Sequence, residues 1–122
     1  MATYDSELAK KLNLKSGMAV RVVGKPAEVE LDGLRVVDDP GADGVLVFLR
    51  DQKEADKLAS VVREAAKAGK VTWMAYPKAK QLGTDLNRDI LWQTMQPHGI
   101  EPNRQISIDE VWSAMRFRPQ GG

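Results

Sequence analysis

The sequence predicts one α/β domain with a mostly parallel sheet, and three observations carry that prediction. Asp43 to Pro77 reads as strand, helix, strand, a βαβ unit whose crossover is right-handed almost by rule. Within it, Val45-Leu46-Val47-Phe48-Leu49 is an unbroken apolar run, the mark of a strand covered on both faces. Asn103 to Ile108 and Trp112 to Phe117 read as two strands around the turn Ser107-Ile108-Asp109-Glu110, so the sheet should finish in an antiparallel hairpin. With further strands near residues 18–23 and 34–37, about six strands are expected between helical layers.

The elements follow in order. Asp5 to Leu14 reads as a short helix: Asp5 or Ser6 supplies the N-cap, Leu8 and Leu12 share a face, and Lys15-Ser16-Gly17 breaks it. Met18 to Val23 is compact and β-branched and ends at Gly24, giving the first strand. Residues 25–33 admit two readings. Pro26 and Glu28 suit a single helical turn stopped by Gly33, whereas Asp32-Gly33 between Leu31 and Leu34 is a two-residue hairpin signal. Leu34 to Val37 is the second strand, closed by Asp38-Asp39-Pro40-Gly41. Asp51 with Glu54 three residues on opens the next helix as a capping box. Ala55, Leu58, Ala59, Val62, Ala65 and Ala66 mark its inward face, and Gly69 ends it. After the strand Val71 to Tyr76, Thr84 or Asp85 caps a helix to about Gln96, with Leu86, Ile90, Leu91 and Met95 inward and Pro97-His98-Gly99 as its end. The domain is expected over residues 1–118, with 119–122 as a tail.

Composition excludes several classes of function. A length of 122 residues suits one domain. With 18 basic against 17 acidic residues the net charge is +1, which supplies no electrostatic reason for a nucleic-acid or membrane partner. The chain has no cysteine, so disulfides, thiolate catalysis and cysteine-based metal sites are ruled out. The first residues carry acids where a signal peptide needs positive charge, and no stretch approaches the ~20 apolar residues of a membrane span. The expected location is the cytoplasm.

Leu12-Asn13-Leu14-Lys15-Ser16-Gly17-Met18 with Val20-Arg21-Val22-Val23-Gly24, then Asp43-Gly44-Val45-Leu46-Val47-Phe48 and Lys70-Val71-Thr72-Trp73-Met74, resemble the Rossmann-like fold of methyltransferases that use S-adenosylmethionine. Trp73-Met74-Ala75-Tyr76-Pro77-Lys78, Thr84-Asp85-Leu86, and Ser107 to Ala114 with Arg116-Phe117-Arg118 resemble a family of small bacterial proteins designated a domain of unknown function. Together these resemblances imply a reduced Rossmann-like, methyltransferase-like three-layer α/β domain, and no activity. The departures matter. Dinucleotide sites use two or three glycines in the first turn and an acid about 20 residues on. Here Gly24-Lys25-Pro26 offers one glycine and a proline with no amide to donate, and Asp38 and Asp39 follow after 14 and 15 residues. S-adenosylmethionine is therefore disfavoured as a cofactor, and none is expected.

In open α/β sheets, ligands lie beyond the carboxyl ends of the strands. Gly24, Lys25, Asp38, Arg50, Tyr76 and Lys78 are the candidates there for a nucleotide-like or phosphorylated ligand, while Asp51 and Asp85 read as helix caps. Lys78 has no companion base in sequence reach, and a lone lysine is not a mechanism; no catalytic residue is assigned. His98, the one histidine, suits a helix C-terminus and lacks partners for a metal site. Trp92 falls roughly opposite the inward face of its helix, beside Asp85, Arg88 and Gln96. Either the last hairpin covers it, with a cation–π contact from the Arg116–Arg118 strand, or it is exposed for a partner. The function expected is a non-catalytic binding or regulatory protein, acting on a protein partner or a second copy through a surface of Arg88, Trp92 and Arg116. The alternative is an enzyme or small-ligand binder using the crevice.

Overall fold

The computed structural model describes residues 7–15, 17–27, 29, 31, 33–39, 41–78 and 84–119. Among them six strands form one sheet: β1 (Ala19–Val23), β2 (Arg35–Val37), β3 (Gly44–Phe48), β4 (Val71–Pro77), β5 (Ile100–Ser107) and β6 (Trp112–Pro119). Their order is β2-β1-β3-β4-β6-β5. The first four run parallel, and β6 is antiparallel to both β4 and β5. Chain order reverses between β1 and β3, the switch point of a Rossmann-like sheet.

The period-two alternation of the central strands builds two cores. Val45, Val47, Met74, Tyr76, Met115 and Phe117 face α2 (Gln52–Lys67) and α3 (Arg88–Met95). Leu46, Phe48, Trp73, Ala75, Trp112 and Ala114 face the opposite side, where α1 (Glu7–Lys11) and Val29 cover them. Helices and loop on both faces make the three layers. On α2 the buried positions are Ala55, Ala59, Val62, Ala65 and Ala66, mostly small residues that let the helix sit close to the sheet.

Local chemistry sets the element ends. The Asp51 carboxylate accepts from the Glu54 N–H at 2.9 Å, and Gly69 in the left-handed region (φ 77) closes α2 with N–H donations from Lys70 to Ala65 and from Gly69 to Ala66. The first helix stops earlier than the sequence suggests. Asn13 adopts φ 58, and the N–H groups of Leu14 and Asn13 donate to Ala9 and Lys10, a Schellman motif built on asparagine rather than on Gly17. Its Leu12 carbonyl accepts from buried Trp73 Nε1 at 2.9 Å, which fastens α1 to β4. The expected caps Asp5 and Ser6 lie outside the described residues.

Two further expectations need correction or closure. The hairpin reading of residues 25–33 fails, because β1 and β2 are parallel; instead Val29 N–H donates to the Pro26 carbonyl at 3.2 Å and closes one turn. Thr84 and Asp85 do not cap α3. Asn87 does, its Oδ1 accepting from Ile90 N–H at 2.8 Å. Pro119, placed with the tail by sequence, closes β6 opposite Ile100; residues 120–122 lie outside the described residues. Among the described residues no helix is long and apolar enough to cross a membrane.

Candidate functional site

The carboxyl ends of β1, β2 and β3 are where a Rossmann-like sheet would hold a nucleotide, and here Lys25 bonds to the chain itself while Asp38 and Arg50 are exposed. Gly24 follows β1 with φ 74, and a Cβ on it would lie 3.0 Å from the Phe48 carbonyl oxygen; glycine lets the backbone pass β3 closely. Lys25 Nζ donates to the carbonyls of Pro26 (3.0 Å) and Val29 (2.8 Å), so it ties the following turn together. Asp38 lies exposed just past β2. Arg50 is exposed, its N–H donating to Glu54 Oε1 at 2.8 Å and its carbonyl accepting from Thr84 Oγ1.

The N-terminus of α2 is likewise occupied. Asp51 takes the Glu54 amide, and Asp85, reaching across from before α3, accepts from the Gln52 amide at 2.9 Å and from Gln52 Nε2 at 3.4 Å. A helix N-terminus attracts anions through its free amides and dipole. Here two carboxylates already hold that position and would repel a third anion.

Tyr76 and Lys78 belong to a different place. With Asn87, Arg88 and Asp89 at the start of α3, Gln105 of β5 and Ser113 of β6, they line a cavity of about 420 Å³. The Tyr76 hydroxyl accepts from Gln105 Nε2 at 2.9 Å. Burial pushes its pKa above the ordinary value of 10.0; the Arg88 charge acts to lower it and the Asp89 charge to raise it. Lys78 is half-buried and its N–H donates to the Val111 carbonyl at 2.7 Å.

A second cavity of about 330 Å³ shares Arg88, Asp89 and Gln105 with the first and adds Trp92, Pro102, Arg104 and Met115. The two form one groove between α3 and the β5–β6 hairpin. Trp92 is 47% exposed, whereas Trp73 and Trp112 are each 1% exposed. The hairpin borders Trp92 without covering it. Arg116 does not join this surface: it alternates with Met115 and Phe117, which face α2 and α3, so its side chain emerges on the other face. Arg118 pairs with Glu101 across the hairpin at 3.0 Å.

The groove therefore unites Tyr76 and Lys78, expected in the crevice, with Arg88 and Trp92, expected on a surface, and leaves out Gly24, Lys25, Asp38, Arg50 and Arg116. Asn87, Asp89, Pro102, Arg104 and Gln105 were not anticipated; the one available signal was that the strand holding Gln105 follows the helix holding Trp92. His98 Nε2 meets Asp56 Oδ1 at 2.9 Å, joining the end of α3 to α2. Among the described residues no three His, Cys, Asp or Glu side chains gather to hold a metal ion.

No protein-family model matches the chain, and no curated protein matches it. Among solved structures it is similar to a Streptococcus agalactiae protein of the NADB-Rossmann superfamily, with a TM-score of 0.45 and 11% identity over 98% of this chain and 70% of that one.

Proposed function

We propose that this chain is a non-catalytic binding or regulatory protein whose partner surface is the groove between α3 and the terminal hairpin. The observation that carries this reading is Trp92, half-exposed on a helix that buries Leu91 and Met95 beside it. Exposing a large aromatic costs stability that a core position would recover, and tryptophan and arginine dominate binding hot spots. Arg88 lines the groove beside it. The reading also accounts for the crevice, where Lys25, Asp51 and Asp85 spend their polar groups on the chain itself. We place this function on a methyltransferase-like scaffold, a reading supported by β6 inserting antiparallel between β4 and β5.

The test pairs two measurements. In a thermal-shift panel of S-adenosylmethionine, its demethylated product and nucleotides, none raises the melting temperature; saturating binding at a hundred times Kd would add about 2.7 kcal/mol and be plain. In size-exclusion and fluorescence experiments, association with a partner or second copy is weakened by Trp92→Ala. A ligand shift abolished by Lys25→Ala or Asp38→Ala would replace this reading with the small-ligand one.

A further inference from the structure

The cavity beside Tyr76 holds hydrogen-bond donors that the chain itself does not use. Ser113 is 7% exposed and Tyr76 2%, and both line it. They stand directly opposite each other on β6 and β4, on the face that Met74 and Met115 turn toward α2 and α3. The Tyr76 side chain reaches over β6, because its hydroxyl meets Gln105 of β5, the next strand beyond. That bond uses the phenol oxygen as acceptor, and the Tyr76 O–H has no acceptor of its own among the described residues. The Ser113 hydroxyl makes no hydrogen bond among them at all. Buried polar groups are as a rule paired, so two bared hydroxyls on one cavity point to something that completes them.

Charge decides what that would be. The walls carry Lys78 and Arg88 against the one carboxylate of Asp89, a surplus of a single positive charge. Arg88 has Asp89 at 3.4 Å, whereas half-buried Lys78 makes no ion pair or side-chain hydrogen bond among the described residues. A carboxylate matches this set, with one negative charge and two oxygens that only accept. A phosphate monoester matches it poorly. It brings about −1.5 to −2 charges at neutral pH to a site with one in surplus. The amides that would cradle it are also taken, that of Ile90 by Asn87 Oδ1 and that of Leu91 by the Asn87 carbonyl. At about 420 Å³ the space falls within the roughly 300–1,000 Å³ of small-molecule sites.

We infer that this cavity is a binding site for a small organic monocarboxylate, whose carboxylate pairs with Lys78 and accepts from the Tyr76 and Ser113 hydroxyls. The site is additional to the partner surface, since Trp92 lines only the second cavity, and its test is separate. The full isotope-labelled chain is titrated with sodium benzoate, with benzamide as the uncharged counterpart and phenyl phosphate as the more highly charged one. Benzoate should give saturable shifts at the amides of Lys78 and Ser113, binding at least about tenfold more tightly than benzamide or phenyl phosphate. Tyr76→Phe and Ser113→Ala each remove a hydroxyl and little else, and each should weaken benzoate about fivefold or more. Lys78→Met should weaken it about tenfold or more and remove most of its salt dependence. Trp92→Ala should leave benzoate binding unchanged.

Benzamide binding as tightly as benzoate would overturn the anion, and phenyl phosphate binding more tightly would overturn the carboxylate. Binding indifferent to Tyr76→Phe, Ser113→Ala and Lys78→Met alike would overturn the site, as would the absence of any saturable shift. The three-ligand comparison uses the unaltered chain, so it decides the matter even where a variant fails to fold.

Discussion

Gly24→Ala tests whether the lone glycine of the first turn is there for packing or for a ligand, and Gly69→Ala is its natural control. Both glycines sit in the left-handed region at nearly the same φ, 74 and 77, but a Cβ at Gly69 would meet nothing within 4 Å, while one at Gly24 would come 3.0 Å from the Phe48 carbonyl oxygen. The conformational term is shared: about 1–2 kcal/mol for an L side chain in this region, offset by roughly 0.4–1 kcal/mol of lost unfolded-state entropy. Gly69→Ala should therefore cost about 1 kcal/mol. At Gly24 the intruding methyl pushes on backbone rather than on a flexible side chain, adding an overpacking cost of about 1–3 kcal/mol. Urea denaturation reads the difference directly. With a slope of about 1–3 kcal/mol/M, the midpoint of Gly24→Ala should fall below that of Gly69→Ala by on the order of 1 M. Equal midpoints, with costs agreeing within about 0.5 kcal/mol, would refute the packing argument and return Gly24 to the list of ligand-facing residues.

Three other perturbations probe the joints of the fold. Trp73→Phe leaves the buried Leu12 carbonyl without its indole donor and should cost about 1–3 kcal/mol, measured by urea unfolding; a neutral result would mean that α1 is not held there. Asp85→Ala frees the Gln52 amide and should cost about 1 kcal/mol, with hydrogen exchange accelerating at Gln52 and not at Leu91. Tyr76 is favoured in its neutral form in the folded state, so stability is constant below the ordinary phenol pKa of about 10 and declines as pH rises through it toward the folded value. Phenolate absorbance should show a component titrating above the ordinary phenol value that Tyr76→Phe removes, and the same substitution should flatten the alkaline loss of stability.

What the sequence revealed was what neighbouring residues decide among themselves. The run 45–49, the Asp51 cap and the Gly69 stop are local signals, and each was legible. Thr84 and Asp85 look like caps for the helix that follows, yet their partners Arg50 and Gln52 lie 34 and 33 residues away, a distance over which no spacing rule operates. Asn13 taking a left-handed turn in place of Gly17 is equally invisible, since asparagine tolerates that region without demanding it. The candidate site failed to assemble on paper for a topological reason. Nothing in the residues announces that β6 slots between β4 and β5, and it is this order that brings Gln105 beside Tyr76. Of the two readings of Trp92, covered by the Arg-Phe-Arg strand or exposed, alternation disfavours the first, since it sends Phe117 into the core and Arg116 to the opposite face.

That same insertion of β6 governs how the protein can be made. β6 comes after every other described strand in the chain, yet two strands flank it in the sheet. While residues 112–119 are still in the ribosome, β4 has an open edge, Trp73 and Met74 lack the partners Arg116 and Met115, and β5 has no strand to pair with. Folding must wait for β6 to thread between strands already synthesised, a late, long-range closure of the kind that slows folding and leaves strand edges bare meanwhile. Nascent chains stalled before Trp112 should therefore be the species that chaperones hold, and the groove that α3 shares with the hairpin exists only once synthesis has passed it.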